Sequence, residues 1–501
     1  MKQLSGIDAT FLYMESASQF GHVSSLSVFE RPADPSYVPL DAWRAQIEAR
    51  LHLLEPLRRR LVSVPLGLDH PFWIEDPDFD LDFHVRHTAI PPPGSDEQLA
   101  ELVARIVGRP LDRARPLWET YVIEGLPDGR FGVLTKIHHA TVDGAAGAEL
   151  LTLMLDADAA GDDVPAPDHE WHPDRAPSDV EVVTRAAANL VRKPGRALLL
   201  SARAARQIGE ATRNPALVAA ARQWRNSLRG PLGRVLNVGR ARDEEIDDAP
   251  ASMLSLRAPK TMFNGTITAH RKFAFRSTSL DAVKAIKNEL GATVNDVVMA
   301  VCAGALRNYL DQHDGLPEEA LVAMVPVSIR TGDETDKWTN RVSMLTAALP
   351  TNEPDPLERV RKVHDSMANS KELFDAIPAE TLTDFTQFPP PAVFTRAMRL
   401  ASRLGNRVSP PGNLVISNVP GPRHPLYAAG AKLLHYYPVS TIIDGQGLNI
   451  TVQSYLGVLD FGLVSCRELV PDLGVLADLI VSEMEDLAKV AGVSVTVAVH
   501  D

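Results

Sequence analysis

The string His138-His139-Ala140-Thr141-Val142-Asp143-Gly144 packs two imidazoles and a carboxylate into a stretch where an extended run gives way to a helical one. The run before it, Phe131 to Ile137, is strand-like, and the run from Ala145 onward is helix-like. Successive side chains on an extended segment point to opposite sides, so His138 and His139 cannot both face one pocket. One imidazole lines a cavity as a general base and the other is held by the body of the fold, which favours acid–base chemistry over a two-histidine metal site. Asp143 stands where the chain turns into a helix, a position for a carboxylate that caps backbone N–H groups or pairs with a buried arginine.

The remaining chemistry-bearing patterns are sparse. The sequence contains no Gly-x-Ser-x-Gly, no Gly-x-x-x-x-Gly-Lys and no Gly-x-Gly-x-x-Gly, which argues against hydrolase, kinase and dehydrogenase readings. Cys302 and Cys466, the two cysteines, are far apart and read as small buried hydrophobes, so neither a disulfide framework nor a zinc site is expected. An unperturbed histidine titrates near 6.5, so an imidazole base at neutral pH needs little tuning.

Those residues need a scaffold, and 501 residues are enough for two domains and a connector. With 45% hydrophobic and 23% charged residues the composition is that of a globular protein, and no apolar run reaches the length of a membrane-spanning helix. The N-terminus shows no signal-peptide pattern and reads as that of a cytoplasmic protein. A net charge of -13 disfavours nucleic acid as a partner. The charge is uneven: from Arg185 to Arg242 there are thirteen Arg or Lys residues against one acid, Glu210. An acidic, proline-punctuated stretch, Asp162 to Asp168, precedes this segment. The expected organisation is an N-terminal domain over 1–160, an exit and basic helical linker over 161–250, and a C-terminal domain over 251–501. Within the linker Leu217, Ala221, Trp224 and Leu228 share one helical face, with Arg222, Arg225 and Arg229 beside it. Two readings follow: an interfacial helix on anionic lipid, or an arginine-rich connector docked on the acidic remainder of the chain.

Strands are expected at Val23–Phe29, Thr266–Phe275, Leu321–Arg330, Leu448–Tyr455 and Leu459–Val464, the last two as a hairpin turning near Leu456-Gly457-Val458. Helices are expected at Trp43–Leu51, Ser279–Leu290, Asn295–Leu310 and over Leu473 to Leu487. This mixture in both halves gives an α/β (α+β) class.

The seven-residue histidine string resembles the signature of the chloramphenicol-acetyltransferase-like acyltransferases. Other strings narrow the resemblance to the wax ester synthase/diacylglycerol acyltransferase family: Pro116-Leu117-Trp118-Glu119, Asn295-Asp296, Pro259 to Asn264 followed by Arg271, Pro326-Val327-Ser328-Ile329-Arg330, and Ser417-Asn418-Val419-Pro420-Gly421-Pro422. They occur in the family's order along nearly the whole chain, and the Arg- and Ala-rich composition is similar to that of actinobacterial members, which make triacylglycerol.

The resemblance implies two acetyltransferase-like domains with a substrate tunnel between them. It implies transfer of a long-chain acyl group from acyl-CoA to the hydroxyl of diacylglycerol, with no cofactor and no metal. It assigns the general base to His139, support to His138 and an orienting or structural role to Asp143, whose partner is Arg330 or Arg271. Asn295 either polarises the thioester carbonyl or caps its helix. Trp118 is expected in the core, and Ser417 to Pro422 as a shaped loop beside the cleft. Alternatives are a wax ester synthase using long-chain alcohols, an acyltransferase fed by a carrier protein, and a non-catalytic lipid-droplet binding protein. Peripheral contact with a membrane or lipid droplet fits two lipid substrates.

Overall fold

Strand β2 (His22–Glu30) and strand β7 (Phe131–His138) pair antiparallel, with His22 opposite His138 and Phe29 opposite Phe131. Their side chains alternate between two cores, as the period of two demands. Phe29 and Val133 join one cluster with helices α2 (Pro39–Arg50) and α5 (Gly144–Met154). Leu26, Val28 and Leu134 join another with helix α4 (Asp96–Val107). This is the centre of a six-stranded sheet of order β12-β13-β2-β7-β6-β5. Its other members are β5 (Val85–Ala89), β6 (Trp118–Glu124), β12 (Tyr427–Ala428) and β13 (Ala431–Val439).

This is a computed structural model, and it describes residues 1–67, 69–142, 144–167, 171–186, 188–189, 258–328, 342–375 and 412–494. The basic segment past 190, the linker face from Leu217 to Leu228, Asp143 and Arg330 lie outside the described residues.

A second six-stranded sheet has the order β10-β9-β11-β14-β15-β8. It comprises β8 (Arg271–Ser279), β9 (Leu321–Ser328), β10 (Val342–Leu349), β11 (Leu414–Val419), β14 (Leu448–Tyr455) and β15 (Val458–Cys466). Helices α6 (Leu280–Leu290), α7 (Val294–Gln312), α8 (Pro356–Asp375) and α9 (Leu473–Val490) contribute to the core on one side of it. On the other side Phe273, Phe275 and Val464 share a cluster with α4 and with Tyr437 and Val439 of β13, so the two sheets meet through β8, β15 and β13. At Gly462 a Cβ would sit 1.7 Å from the Pro438 carbonyl oxygen, so β13 crosses β15 where only glycine fits.

The strands at 427–439 belong to the first sheet although they lie late in the chain. A division at 160 and 251 therefore does not partition the sheets: the second half lends the first a hairpin. The β14–β15 hairpin turns through Leu456 and Gly457, both at positive φ (43° and 85°), the geometry of the tight turns that match strand twist. The strand expected from Thr266 begins only at Arg271. The β-branched Thr266-Ile267-Thr268 run does not extend the ladder, because the Ile267 and Thr268 N–H groups meet side-chain acceptors from the far end of the chain, Thr268 donating to Cys466 Sγ (3.4 Å). Ile267 donates to Asp444 Oδ1 (3.0 Å) and His270 to Thr268 Oγ1 (3.1 Å). Both cysteines are fully buried, and burial pushes the Cys302 thiol up to about 12.

Candidate active site

The last residue of β7, His138, is 1% exposed. Its Nδ1 accepts the Ala140 backbone N–H (3.0 Å), which puts the ring proton on Nε2, and Nε2 donates to Glu15 Oε1 (3.2 Å). Both nitrogens of this imidazole are thus committed inside the protein. The Thr141 N–H returns to the His138 carbonyl (2.9 Å), closing a tight turn that reverses the chain toward α5. Val142, 1% exposed, anchors the far side of that turn in the α2–α5 core.

The alternation then presents His139 differently. Its N–H is held by the Gly21 carbonyl (2.8 Å), its side chain is half-buried, and its ring stacks on Phe11 with centroids 4.1 Å apart and planes 6° from parallel. Phe11 rides on helix α1 (Gly6–Tyr13), whose N-terminus is capped by Ser5 accepting the Asp8 N–H (3.1 Å). Ala9 and Leu12 of α1 pack with Leu117 and Ala140, which docks the helix on the histidine turn.

Glu15 organises the ground beneath the pair. Its carboxylate takes the His138 ring N–H, the Gly21 backbone N–H (2.8 Å) and the Arg113 guanidinium (2.5 Å). Burial alone would raise its pKa, but these bonds outweigh it and hold the carboxyl at about 2. Gly21 has no room for a side chain: a Cβ would lie 2.6 Å from His138 Nε2 and 2.8 Å from the Phe11 carbonyl oxygen. Sequence spacing missed Glu15, Arg113 and Phe11. Glu15 and His138 are 123 residues apart, and no local pattern joins them.

The chain from Ser18 to Gly21 forms a strap behind the histidines, and the second half of the protein holds it. Arg271 Nη2 donates to the Ser18 carbonyl (2.5 Å) and its guanidinium sits 5.2 Å over the Phe20 ring. Thr441 Oγ1 donates to the Phe20 carbonyl (2.7 Å), and the Asp444 N–H to Gln19 Oε1 (3.2 Å). Burial brings Arg271 down to about 10. Its guanidinium also donates to the Thr268 and His270 carbonyls, so the structure gives Arg271 to backbone oxygens of this strap and its own loop. Behind His138 on the same face of β7, Lys136 is buried and donates to the Ile106 and Arg109 carbonyls at the end of α4. Burial lowers it to about 8.

Other sequence candidates fall as follows. Asn295 is the second residue of α7 and half-buried. The cap is Thr293, which accepts the Asp296 N–H while the Asp296 side chain returns to the Thr293 N–H, so the capping role expected of Asn295 belongs to Thr293. Trp118 is core, 1% exposed, with Nε1 donating to the Leu57 carbonyl (2.7 Å) and its ring stacked on His84. Of the expected loop from Ser417 to Pro422, Ser417 to Val419 are the end of strand β11, and the loop begins only at Pro420.

The wax ester synthase/diacylglycerol acyltransferase catalytic domain matches residues 4–298, and the C-terminal domain of the same family matches 338–488. A putative diacylglycerol O-acyltransferase of Mycobacterium tuberculosis strain CDC 1551 is 37% identical, over 98% of this chain and 90% of its own. A probable diacylglycerol O-acyltransferase of strain H37Rv is also 37% identical, over 97% and 98%. Among solved structures, the wax ester synthase/diacylglycerol acyltransferase of Marinobacter aquaeolei VT8 superimposes with a TM-score of 0.67 at 29% identity, covering 98% of this chain and 100% of that one. The first condensation domain of the calcium-dependent antibiotic synthetase shares the fold, with a TM-score of 0.55 at 15% identity over 100% and 99%. The chain belongs to the wax ester synthase/diacylglycerol acyltransferase family and is an acyltransferase of that type.

Proposed function

We propose that this protein transfers a long-chain acyl group from acyl-CoA to the free hydroxyl of diacylglycerol, with His139 as general base. The observation that carries the assignment is the division of labour between the two histidines. His138 has both ring nitrogens bonded and is sealed from solvent, whereas His139 is half-buried with its ring set on Phe11. In the proposed step the His139 imidazole takes the hydroxyl proton as the acceptor oxygen bonds to the thioester carbonyl carbon. The tetrahedral oxyanion then collapses, the carbon–sulfur bond breaks, and the imidazolium returns the proton to the departing CoA thiolate. The thioester is already activated, so the reaction as proposed calls for no cofactor and no covalent enzyme intermediate. In this reading Asn295 polarises the thioester carbonyl, Asp143 orients the histidine turn, and the substrates meet in a tunnel between the halves.

A long-chain alcohol is the second acceptor class, favoured by the likeness to the Marinobacter aquaeolei protein, whose name carries both activities. The test is thiol release from a long-chain acyl-CoA with diacylglycerol, with a long-chain alcohol and with neither. Acceptor-dependent release supports the reading. No release with any acceptor would move the assignment to a carrier-fed acyltransferase or a lipid-binding protein.

Attachment to a membrane or lipid-droplet surface is part of the same reading, because both substrates are lipids. No single described helix is long and apolar enough to cross a membrane, and the segment 185–242 carries thirteen basic residues. Flotation with anionic liposomes should fall when Arg222, Arg225 and Arg229 are replaced by Gln. Equal flotation would contradict lipid contact through this segment.

A further inference from the structure

Strand β14 has two buried faces of opposite character. Ile450 and Val452 enter the core shared with α6 to α9, while Asn449, Thr451 and Gln453 point to the other side. Asn449, Thr451 and Gln453 are each under 5% exposed. The in-register parallel pairing with β11 sets Ser417 beside Thr451 and Val419 beside Gln453 on that same face.

The row leads away from the strap that backs His139. Thr441, which holds the Phe20 carbonyl, follows Ser440, whose Oγ lies 2.8 Å from Thr451 Oγ1. Two residues beyond Gln453, the Tyr455 ring packs in one cluster with Leu150, Leu151 and Met154 of α5. Helix α5 opens five residues after His139, and its exit at Asp156 bonds back to Tyr427. Helix α5 and the end of strand β14 are therefore packed together beyond the histidine turn, and among the described residues a Cβ on Gly147 of α5 would meet nothing within 4 Å.

Along this row the polar groups are satisfied with one exception. Thr451 donates to Asn449 Oδ1 (2.8 Å), and the Tyr455 hydroxyl bonds the Leu426 N–H and the Leu433 carbonyl. Among the described residues Gln453 Nε2 is buried and has no hydrogen-bond partner. Leaving a buried donor unmet is unfavourable, because the group loses its water without gaining a partner. The loop after β11 also respects this atom. A Cβ on Gly421 would lie 3.2 Å from Gln453 Nε2 and 2.1 Å from the Ser454 carbonyl oxygen, so the chain passes there only as glycine.

We propose that Gln453, beside Gly421, forms a subsite for an ester carbonyl of the diacylglycerol acceptor and sets the preference for glycerides over simple alcohols. The inference rests on the acyl-transfer reading above. An amide N–H requires an oxygen acceptor. The ester carbonyls of a diacylglycerol stand a few bonds from its free hydroxyl, and a fatty alcohol has no second oxygen. A site built to hydrogen-bond a substrate discriminates against the analogue that lacks the partner, because its own polar group is then stranded.

The test compares 1,2-diacylglycerol with the 1,2-dialkylglycerol ether of the same chain length, using the wild-type protein and Gln453→Met, with acyl-CoA as donor. Wild type should favour the diester by about three- to tenfold in kcat/KM, and Gln453→Met should bring that ratio close to one. The ether comparison needs no variant, so it stands even if Gln453→Met unfolds. An equal rate on ester and ether in wild type overturns the proposal, as does an unchanged ratio in a folded Gln453→Met protein or an effect confined to the KM of acyl-CoA. Absence of transfer to every acceptor by wild type would instead bring down the acyl-transfer reading, and the subsite with it.

Discussion

Replacing Glu15 by Gln tests whether its half-buried carboxylate holds the histidine turn. In the wild type this group takes three donors, from His138, Gly21 and Arg113. A carboxyl held at about 2 in place of its ordinary 4.5 favours the folded state by about 3 kcal/mol at pH values where it is ionised both folded and unfolded. Because the folded value is depressed, this stabilisation is fully present above about pH 4.5 and is lost as pH falls toward 2. Gln keeps a carbonyl acceptor but not the charge, so Glu15→Gln should lower stability by about 2–3 kcal/mol at pH 7. The gap to wild type should shrink by up to about 1.4 kcal/mol for each pH unit below about 4.5. Denaturant unfolding followed by tryptophan fluorescence at pH 7, 5, 4 and 3.5 measures both quantities, with Trp118 buried beside the turn as a reporter. The same change should reduce kcat more than the KM of either substrate, since it disturbs the placement of His139 and not a binding surface. A stability gap under about 0.5 kcal/mol, or one that does not narrow in acid, would refute the reasoning.

Other consequences follow from the same geometry. Gly21→Ala introduces a Cβ 2.6 Å from His138 Nε2. It should cost about 1–3 kcal/mol by overpacking and reduce turnover at least tenfold, which thermal unfolding and steady-state kinetics would show. Wild-type turnover in Gly21→Ala would mean that the strap tolerates displacement and does not fix the site. Acceptor discrimination at Gln453 and liposome flotation through the basic segment, given above, probe the acceptor end and the lipid surface separately.

The histidine turn was legible because it is local. A strand that ends at His138, a turn and a helix from Gly144 are all written in contiguous residues, and strand alternation already separates the two imidazoles. What holds them was not legible. Glu15 comes from the loop after α1, Arg113 from the loop before β6, and Arg271, Thr441 and Asp444 from the other half of the chain. Those partners meet only because the two sheets pack through β13, itself lent by residues 431–439 to a sheet whose other long strands lie before residue 139. No periodicity in a single segment encodes that exchange. Asn295 illustrates the converse: Asn at a helix start suggests a cap, but Thr293 two residues earlier has the extended backbone and the hydroxyl that the cap requires, and Asp296 completes the box. At Thr266 to His270, β-branched residues signalled a strand that side-chain acceptors then pre-empted.

The central claim is that His139 and not His138 exchanges the proton during acyl transfer. Acceptor-dependent thiol release from a long-chain acyl-CoA, measured for wild type, His139→Ala and His138→Ala alongside their thermal unfolding, tests it most directly. The account predicts that His139→Ala loses about two to four orders of magnitude in kcat while keeping close to wild-type stability, and that His138→Ala loses stability together with activity. Near wild-type turnover by His139→Ala would contradict it.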